Sequence, residues 1–348
     1  MFALTYYVGI DIASQTFTSA IGREDKDKWN IVVKPAKFEN EYDSLPKYLA
    51  WLRDKGITQG NAIFIMEATG VYNEVLAHFL VANGYTVSIE PPLKVRRAFK
   101  PAGSKSDPVD SCQIAEYGYR FYDQLSIWLP RKEILEQIKV LLTMREQLVS
   151  ESTGHKNALL ALKRKVVRTP LAEAIHEKAI LELKAHIKKV EEEIERLIGK
   201  DPDLRNMAGL LLSIPGVGLM LAAQMLIVFQ TSPKAFSPKK LAAYIGVCPY
   251  EDSSGSSRHN PSTSRHYGPS GLRRLLFLAA LSLRTHHRHF KLYFLRKNQE
   301  GKPKRLIINN IINKLLKIMC AVVRTNTPYI EGYRSIHPAL FLQALTLS

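Results

Sequence analysis

Four acidic residues in the first third of the chain have the types and positions of a metal site. Asp11 lies inside an apolar run, VGIDIA, and Glu67 ends another, AIFIME. A carboxylate in such surroundings needs a partner or a cation. Asp107 and Asp110 stand three residues apart at a predicted helix start, which places them on one face. Carboxylates suit Mg²⁺ or Mn²⁺, and two such ions can stabilise the attacking and leaving oxygens of a phosphoryl transfer.

A plainer interpretation is open for the second pair of acids. Asp107 has the position of a helix N-cap, with Pro108 at the first helical position, and Asp110 would then interact favourably with the helix dipole. Four carboxylates in one place would repel one another unless divalent cations neutralised them. Taken together, the four acids favour the metal site.

A second set of candidates lies in residues 251–271, a polar segment that is rich in Ser, Gly and Pro and is predicted as a loop. Within it Ser254 precedes Gly255, and Arg258 and Arg265 follow. A serine beside a glycine can act as a nucleophile when a base or a metal eases its deprotonation, and arginines can stabilise a phosphorane transition state. Because any loop is rich in these residue types, a purely structural role stays open.

The chain is strongly basic, and its charge is unevenly distributed. Its 49 Lys and Arg against 32 Asp and Glu give a formal net charge of +17, which points to nucleic acid or an anionic membrane surface. Residues 1–126 are close to neutral, whereas residues 256–330 hold 15 basic residues and a single acid, which favours nucleic acid. A basic segment predicted as a loop adds further candidates for nucleic-acid binding: Lys94, Arg96, Arg97, Lys100 and Lys105.

The elements that must position these residues follow from hydrophobic periodicity. Residues 6–33 predict a meander of about three strands. The pattern then predicts a helix, a strand, a helix and a strand, at 41–55, 62–70, 72–82 and 86–92. This order indicates an α/β domain with a mixed sheet, which we assign to residues 1–128. Strand ends and a helix start are where such a sheet gathers a site.

Heptad-like apolar stripes run through the next segment. They comprise Ile134, Ile138, Leu141 and Leu148, and then Leu183, Ile187, Val190, Ile194 and Leu197. Two long amphipathic helices joined near Thr169 and Pro170 would form an antiparallel coiled-coil arm, which we assign to residues 129–200. An ordinary helical subdomain is the alternative.

Residues 201–348 predict a third, mostly helical domain. The run LLLSIPGVGLMLAAQML has the pattern of a helix-hairpin-helix, whose turn exposes backbone N–H groups at Gly216 and Gly218 that can hold a DNA phosphate. The stretch from Leu210 to Phe229, which contains this run, is apolar enough to suggest a membrane span, but its Pro-Gly turn indicates two buried helices instead. A later helix adds Arg273 and Arg274 as candidates for nucleic-acid binding.

Cysteine usage and the N-terminal residues favour a cytoplasmic protein. Cys112, Cys248 and Cys320 are far apart and odd in number, so neither a disulfide framework nor a cysteine zinc site is predicted. The chain reaches Asp11 without a basic segment, so no signal peptide is expected. We expect a bacterial, nucleoid-associated protein with no membrane partner.

Several motifs together resemble those of the DEDD transposases of the insertion-sequence family one-ten, including its eleven-eleven subgroup. In chain order they are YVGIDIASQTF, IMEATGVY, KSDPVDSCQIAEYG, LLSIPGVGLMLA, LAAYIGVCP, SSG and STSRHYGPSGLRRLL. They cover most of the chain, and the pattern and spacing of the acids are specific.

The resemblance implies an RNase H-like (RuvC-like) N-terminal domain, a coiled-coil arm and a C-terminal transposase domain with a catalytic serine. By this carry-over Asp11, Glu67, Asp107 and Asp110 bind Mg²⁺, and Ser254 attacks a DNA phosphate to form a phosphoserine link. That link conserves bond energy, so rejoining needs no ATP. The family also implies a noncoding bridge RNA that pairs with donor and target DNA. It implies a homo-oligomer, dimer or tetramer, in which the acids of one subunit meet the serine of another.

One motif departs from the family pattern. The family's usual tail has a serine, a lysine and a glycine ahead of the Leu-Arg pair, whereas this chain reads TSRHYG at 263–268. Arg265 can replace a lysine as a phosphate contact, though not identically. Ser253 stands beside Ser254, so the choice of nucleophile rests on alignment with the family.

Three other functions stay open from the residues alone. A RuvC-like nuclease would resolve DNA junctions with metals and water, and would leave Ser254 without a catalytic role. An actin-like or sugar-kinase-like ATPase would also contain a strand like VGIDIASQTF, but it needs a second glycine-rich phosphate loop that the sequence does not show. A noncatalytic nucleic-acid-binding protein would use the acids for structure only.

Overall fold

A mixed five-stranded sheet forms the centre of the first part of the chain. The computed structural model describes residues 5–68, 70–99, 107–231, 237–254, 258–264 and 268–332. The strands are β1 (Tyr6–Ile12), β2 (Thr16–Asp25), β3 (Lys28–Glu39), β4 (Ala62–Glu67) and β5 (Thr86–Glu90). Their order is β3-β2-β1-β4-β5, with β1, β2 and β3 antiparallel and β1, β4 and β5 parallel. This confirms the predicted meander and mixed sheet.

Helices cover both faces of this sheet. They are α1 (Leu45–Asp54), α2 (Glu74–Ala82), α3 (Pro92–Arg97) and α4 (Asp107–Arg120). Because side chains alternate along a strand, Val8 and Ile10 of β1 pack with α1 and α2. Tyr7 of β1 and Ile65 of β4 pack on the opposite face with Ile114 of α4. The sheet therefore has one apolar layer on each side.

Two local predictions in this region were wrong. The basic segment predicted as a loop forms a short helix, α3, over Pro92–Arg97, because Pro91 and Pro92 suit a helix start. Asp107 is itself helical and is the first described residue of α4, so it is not the cap that was predicted.

The structure divides into two compact units, Met1–Pro130 and Arg131–Ser348. The second unit begins with two long helices, α5 (Glu133–Lys163) and α6 (Pro170–Lys200). Three cross-contacts make them an antiparallel hairpin: Arg145 with Glu191 at 2.6 Å, His155 with His176 at 2.8 Å and Lys163 with Glu177 at 2.8 Å. The two long helices are thus confirmed, and coiled-coil packing between them stays a prediction.

Six further helices and two strands follow in the described part of the second unit. They are α7 (Pro202–Leu212), α8 (Leu219–Thr231), α9 (Pro238–Ile245), β6 (Pro249–Ser254), β7 (Arg258–Ser264), α10 (Ser270–His286), α11 (Arg288–Gln299) and α12 (Lys304–Thr325). Apolar side chains of these helices share one core with Leu135, Ile138 and Ile194 from the base of the hairpin. The boundary predicted at residue 200 stays a prediction.

One described helix, α12, has the length and composition of a membrane span. Half of its apolar window is buried inside the unit, and Ile311, Leu315 and Leu316 are fully enclosed there. It packs as a core helix. The segment that raised the same question in the sequence, 210–229, folds as the end of α7, a turn and α8, as predicted.

The polar segment predicted as a loop contains a β-hairpin instead. β6 and β7 pair antiparallel, from Pro249 opposite Ser264 to Ser254 opposite Arg258. Short polar strands carry no apolar alternation, so the periodicity that reveals most strands is missing here.

Candidate active site

Asp11 and Glu67 lie on neighbouring parallel strands at corresponding positions. The register of β1 and β4 pairs Ile10 with Met66, so the next step places Asp11 beside Glu67. Both acids stand two residues beyond positions that face α4, Gly9 on β1 and Ile65 on β4. Since side chains of every second residue share a face, both carboxylates belong to the α4 side of the sheet.

The helix α4 runs antiparallel to β1, and its first turn lies at the same end as these acids. Near its C-terminus, the Tyr119 ring meets the ring of Tyr7 at 5.5 Å. Further back, Ser111 and Ala115 lie against Gly9, so closely that a Cβ on this glycine would overlap their backbone atoms. The helix start, with Asp107 and Asp110, therefore points toward the ends of β1 and β4.

The structure brings all four acids to one end of the first unit. Asp11, Glu67 and Asp110 are partly buried, and Asp107 is exposed. Among the described residues, no three His, Cys, Asp or Glu side chains are close enough to form a metal site together. Coordination of a cation by the four acids therefore stays a prediction.

A fifth carboxylate at this sheet edge was not singled out from the sequence. Glu90 ends β5 and pairs with Glu67 in the register. It is buried, and Lys94 donates to its Oε2 at 2.8 Å, while Ser88 and the Ser126 N–H donate to its Oε1 at 3.1 and 3.3 Å. With its charge balanced by Lys94, Glu90 acts as a structural group. An acid ending an apolar strand was the signal that could have revealed it.

Two buried asparagines hold the loops that follow the acidic strand ends. Asn40 donates to Ala13 O at 3.1 Å and Tyr72 O at 2.8 Å, which joins the segments after β1 and β4. Asn73 donates to the backbone carbonyl of Glu67 at 3.2 Å. A lone asparagine between elements has no distinctive sequence pattern, so these contacts were not foreseen.

The basic candidates of the first unit have different surroundings. Arg96 and Arg97 are exposed on α3. The Lys94 ammonium, besides its pair with Glu90, donates to Gln124 O at 3.2 Å, so it already has a structural role. Lys100 and Lys105 lie outside the described residues. Nucleic-acid binding by these five residues stays a prediction.

Ser254, the predicted nucleophile, is the last residue of β6 in the second unit. Its backbone pairs with Arg258 at the start of β7, and the neighbouring Ser253 pairs with His259. The segments 255–257 and 265–267, and with them Gly255 and Arg265, lie outside the described residues. Ser254 therefore lies at the far end of the hairpin stem, in backbone register with Arg258.

The predicted helix-hairpin-helix turn forms between α7 and α8. Gly216 adopts a φ of 80°, and the Val217 N–H donates to Ile214 O at 3.1 Å. A Cβ at Gly216 would press on Leu283, so the turn is packed against α10. Gly216 and Gly218 are both exposed. The conformation is as predicted, and phosphate binding by the turn stays a prediction.

The two arginines at the start of α10 make protein contacts. Arg273 Nη1 donates to the backbone carbonyls of Ile245 and Gly268, both at 3.0 Å. Arg274 is half-exposed and pairs with Glu146 of α5 at 3.2 Å. Their predicted contacts with nucleic acid stay predictions, while Arg273 has a structural role that the sequence did not reveal.

A group of like charges surrounds Tyr293 on α11 and α12. The Lys314 ammonium lies 3.6 Å from the centre of the Tyr293 ring, and the Arg296 guanidinium lies 5.9 Å from it. The pKa of Lys314 is lowered by desolvation and then by the neighbouring charges of Arg296, Lys317 and Lys297. A surface that concentrates like charges in this way is suited to a polyanion.

Comparison with known protein families gives two matches. A family described as transposase, of the DEDD type of IS110, matches residues 8–166, and the Transposase IS116/IS110/IS902 family matches residues 208–295. The first match contains all four acids, and the second contains the helix-hairpin-helix turn and Ser254.

Two similar proteins align along nearly the whole chain, and a third aligns along part of it. The pilin gene-inverting proteins of Moraxella lacunata and Moraxella bovis are 30% and 29% identical over 330 residues, which is 93% of this chain and 97% of theirs. A 43.6 kDa protein of the insertion element IS110 of Streptomyces coelicolor is 27% identical over 140 residues, 40% of this chain and 33% of that protein. These matches show that the chain belongs to the IS110 transposase family and is a DNA transposase or recombinase.

Proposed function

We propose that this protein cuts and rejoins DNA through a phosphoserine intermediate, with Ser254 as the nucleophile and divalent metal ions held by Asp11, Glu67, Asp107 and Asp110. The observation that supports the proposal is that these four acids lie at the same end of the sheet. They come from two strands and one helix that are distant in sequence. Such convergence is typical of a functional site rather than of independent helix caps.

The donor set fits Mg²⁺ or Mn²⁺. All four side chains offer carboxylate oxygen, and the neighbouring Glu90 is already neutralised by Lys94. When bound, the cation would supply positive charge at the oxygens of the reacting phosphate. The four acids would hold the cation in place, and the buried asparagines Asn40 and Asn73 fix the loops beside them.

In the proposed reaction Ser254 Oγ forms a bond to phosphorus as the bond from phosphorus to a deoxyribose oxygen breaks. The serine proton ends on the departing oxygen, which leaves as a hydroxyl. Attack of another strand's hydroxyl on the phosphoserine reverses the step and joins the new strand. One phosphate ester replaces another throughout, so no nucleotide is consumed. The Moraxella relatives are named for inverting a gene, an outcome in which every broken end is rejoined.

We further infer that the partners are donor and target DNA and a noncoding bridge RNA, and that the protein acts as a homo-oligomer. The net charge of +17 and the cations of α10, α11 and α12 support a nucleic-acid partner. The mixed sheet with helices on both faces supports an RNase H-like (RuvC-like) fold for the first unit. The RNA and the oligomer rest on the family resemblance.

A trapping assay tests the chemistry. The purified protein, its element's RNA, a labelled DNA junction and Mg²⁺ are combined and run on a denaturing gel. We expect a protease-sensitive shifted band, which is lost in Ser254→Ala and in Asp11→Ala. Ser253→Ala serves as the matched control for the neighbouring serine and should retain the band.

The opposite result would identify a different reaction. Cleavage without a covalent band that persists in Ser254→Ala would contradict the serine mechanism and indicate a nuclease that uses metals and water alone. A band that is lost in Ser253→Ala and retained in Ser254→Ala would identify Ser253 as the nucleophile.

A further inference from the structure

The position of the β6–β7 hairpin, in which Ser254 is the last residue of β6, depends on how its two ends are attached to the helical core. β6 and β7 pair with each other as a separate two-stranded sheet, and such a hairpin alone is marginally stable in water. The chain leaves α9 at Ile245 and re-enters the helical core at α10, just after Gly268. The position of Ser254 is therefore determined by how these two ends are held.

Two asparagines of α12 hold the end that leads into β6. The side-chain amides of Asn309 and Asn313 both donate to Val247 O, at 3.0 and 3.2 Å. Asn313 also donates to Asn309 O at 2.9 Å, which ties the pair together. Asparagine is a weak helix former, and α12 contains three, of which Asn309 and Asn313 are the two that donate to Val247 O.

Arg273 of α10 joins both ends of the hairpin segment. Its Nη1 donates to Ile245 O, where α9 ends, and to Gly268 O, where the segment returns. Gly268 has a φ of 96°, and a Cβ there would overlap Tyr244 O. The two ends thus meet closely, and a charged donor bonds to both carbonyls, which makes these hydrogen bonds stronger than neutral ones.

We propose that Asn309, Asn313 and Arg273 are positioning residues for strand transfer, which act by fixing the base of the hairpin that presents Ser254 to the DNA phosphate. This inference rests on the proposed role of Ser254 as the nucleophile. A nucleophile displaced by about 1 Å loses on the order of 100-fold in rate, so the hydrogen bonds at the base control the reaction without touching substrate.

The test uses Asn309→Asp and Asn313→Asp in the full-length protein. Aspartate has nearly the same shape as asparagine, but its carboxylate cannot donate to Val247 O and instead repels it. Asn310→Asp is the matched control, because Asn310 is on the same helix and makes no side-chain hydrogen bond within the described part of the chain. Asn313→Ala, which adds no charge, is the milder second variant in case an aspartate variant fails to fold.

Three quantities are measured for each variant: the single-turnover rate of the Ser254–DNA adduct, the Kd for DNA with RNA, and the melting temperature. We expect the rate to fall about 10- to 100-fold in the Asn309 and Asn313 variants while Kd and melting temperature match those of Asn310→Asp. Hydrogen exchange of the backbone amides in 249–264 should accelerate in the same variants, because their hairpin is less firmly held.

The two proposals fail in different ways. A wild-type protein that forms no Ser254-dependent adduct overturns the proposed function and the positioning role with it. An adduct that forms at the same rate in the Asn313 variants as in Asn310→Asp overturns the positioning role alone. A rate that falls only in proportion to lost binding or lost folded protein also overturns it, since that pattern indicates a purely structural role.

Discussion

At Gly9 the backbone of β1 touches that of α4. A Cβ at this position would overlap Ser111 O and Ala115 N. Both elements carry proposed metal ligands, Asp11 on the strand and Asp110 on the helix. The absence of a side chain at Gly9 therefore allows the first turn of α4 to approach the strand that carries Asp11.

We predict that Gly9→Ala lowers the free energy of unfolding by about 1–3 kcal/mol, because α4 must move away from the sheet to admit the methyl group. Metal-dependent cleavage should fall as well. The control is Gly154→Ala, where a Cβ in α5 meets open space and alanine should stabilise the helix by up to about 1 kcal/mol. Thermal and denaturant unfolding measure the stability of both variants. Unfolding of Gly9→Ala at the wild-type midpoint would contradict the close packing of β1 and α4.

At the scale of elements, the base of the long helical hairpin is joined to α7 through Asp201. This residue caps α7 by accepting from the N–H groups of Asp203 and Leu204 at 2.9 and 3.1 Å. It also accepts from Lys132, at the start of α5, at 3.0 Å. The hydrogen bond from Lys132, followed by that from Leu204, lowers the pKa of the Asp201 carboxyl. One carboxylate thus links three helices.

The lowered pKa predicts how Asp201 contributes to stability as pH changes. A carboxyl with a lowered folded-state pKa stabilises the protein above its ordinary value of about 3.9, and this contribution is lost as pH falls through the folded value. Asp201→Asn keeps a capping oxygen and removes the charge. We expect it to lower the free energy of unfolding at pH 7 by at most about 1 kcal/mol, since the pair is partly exposed to solvent.

The difference in the free energy of unfolding between wild type and Asp201→Asn should vanish at pH values below the pKa of the Asp201 carboxyl in the folded protein. Asp203→Asn is the control, because its side chain is 81% exposed and lies 3.6 Å from Lys132. Melting curves recorded from pH 7 to pH 2 measure both variants. A difference that stays constant over this range would show that the Asp201 charge is not the cause.

At the scale of the whole molecule, positive charge is concentrated in the second unit. Residues 1–126 carry nearly equal numbers of acids and bases, whereas 256–330 carry 15 bases and one acid. That acid, Glu300, is already paired with Lys297 at 2.7 Å. Lys314 and the neighbouring Lys317 therefore have no acid of their own segment, other than Glu300, to balance their charge.

We predict that Lys314→Gln and Lys317→Gln weaken the binding of DNA and RNA at low salt. Each phosphate contact removed should reduce the slope of log K against log salt concentration by about 0.9 on duplex DNA. Lys178→Gln is the control, an exposed lysine on α6 near Glu182. Fluorescence anisotropy at several salt concentrations measures the slopes. Equal slopes for all three variants and the wild type would show that the nucleic acid does not contact Lys314 or Lys317.

Hydrophobic periodicity and residue types within short stretches of the sequence were enough to predict most of the secondary structure and two of the candidate site residues. The strands of the first unit, its helices other than α3, the two long helices and the turn at Gly216 could be predicted, because each is encoded by neighbouring residues. The acids Asp11 and Glu67 were recognisable for the same reason, since a carboxylate within or at the end of an apolar strand is unusual. The excess of positive charge in 256–330 could be recognised from amino-acid composition alone.

Only the tertiary structure decided which distant residues meet. It set the direction of α4 across β1, the pairing of Lys94 with buried Glu90, and the contacts of Arg273, Asn309 and Asn313 at the base of the Ser254 hairpin. The hairpin itself was missed because its polar strands lack alternation. These features depend on contacts between residues that are far apart along the chain, and local sequence patterns do not predict such contacts.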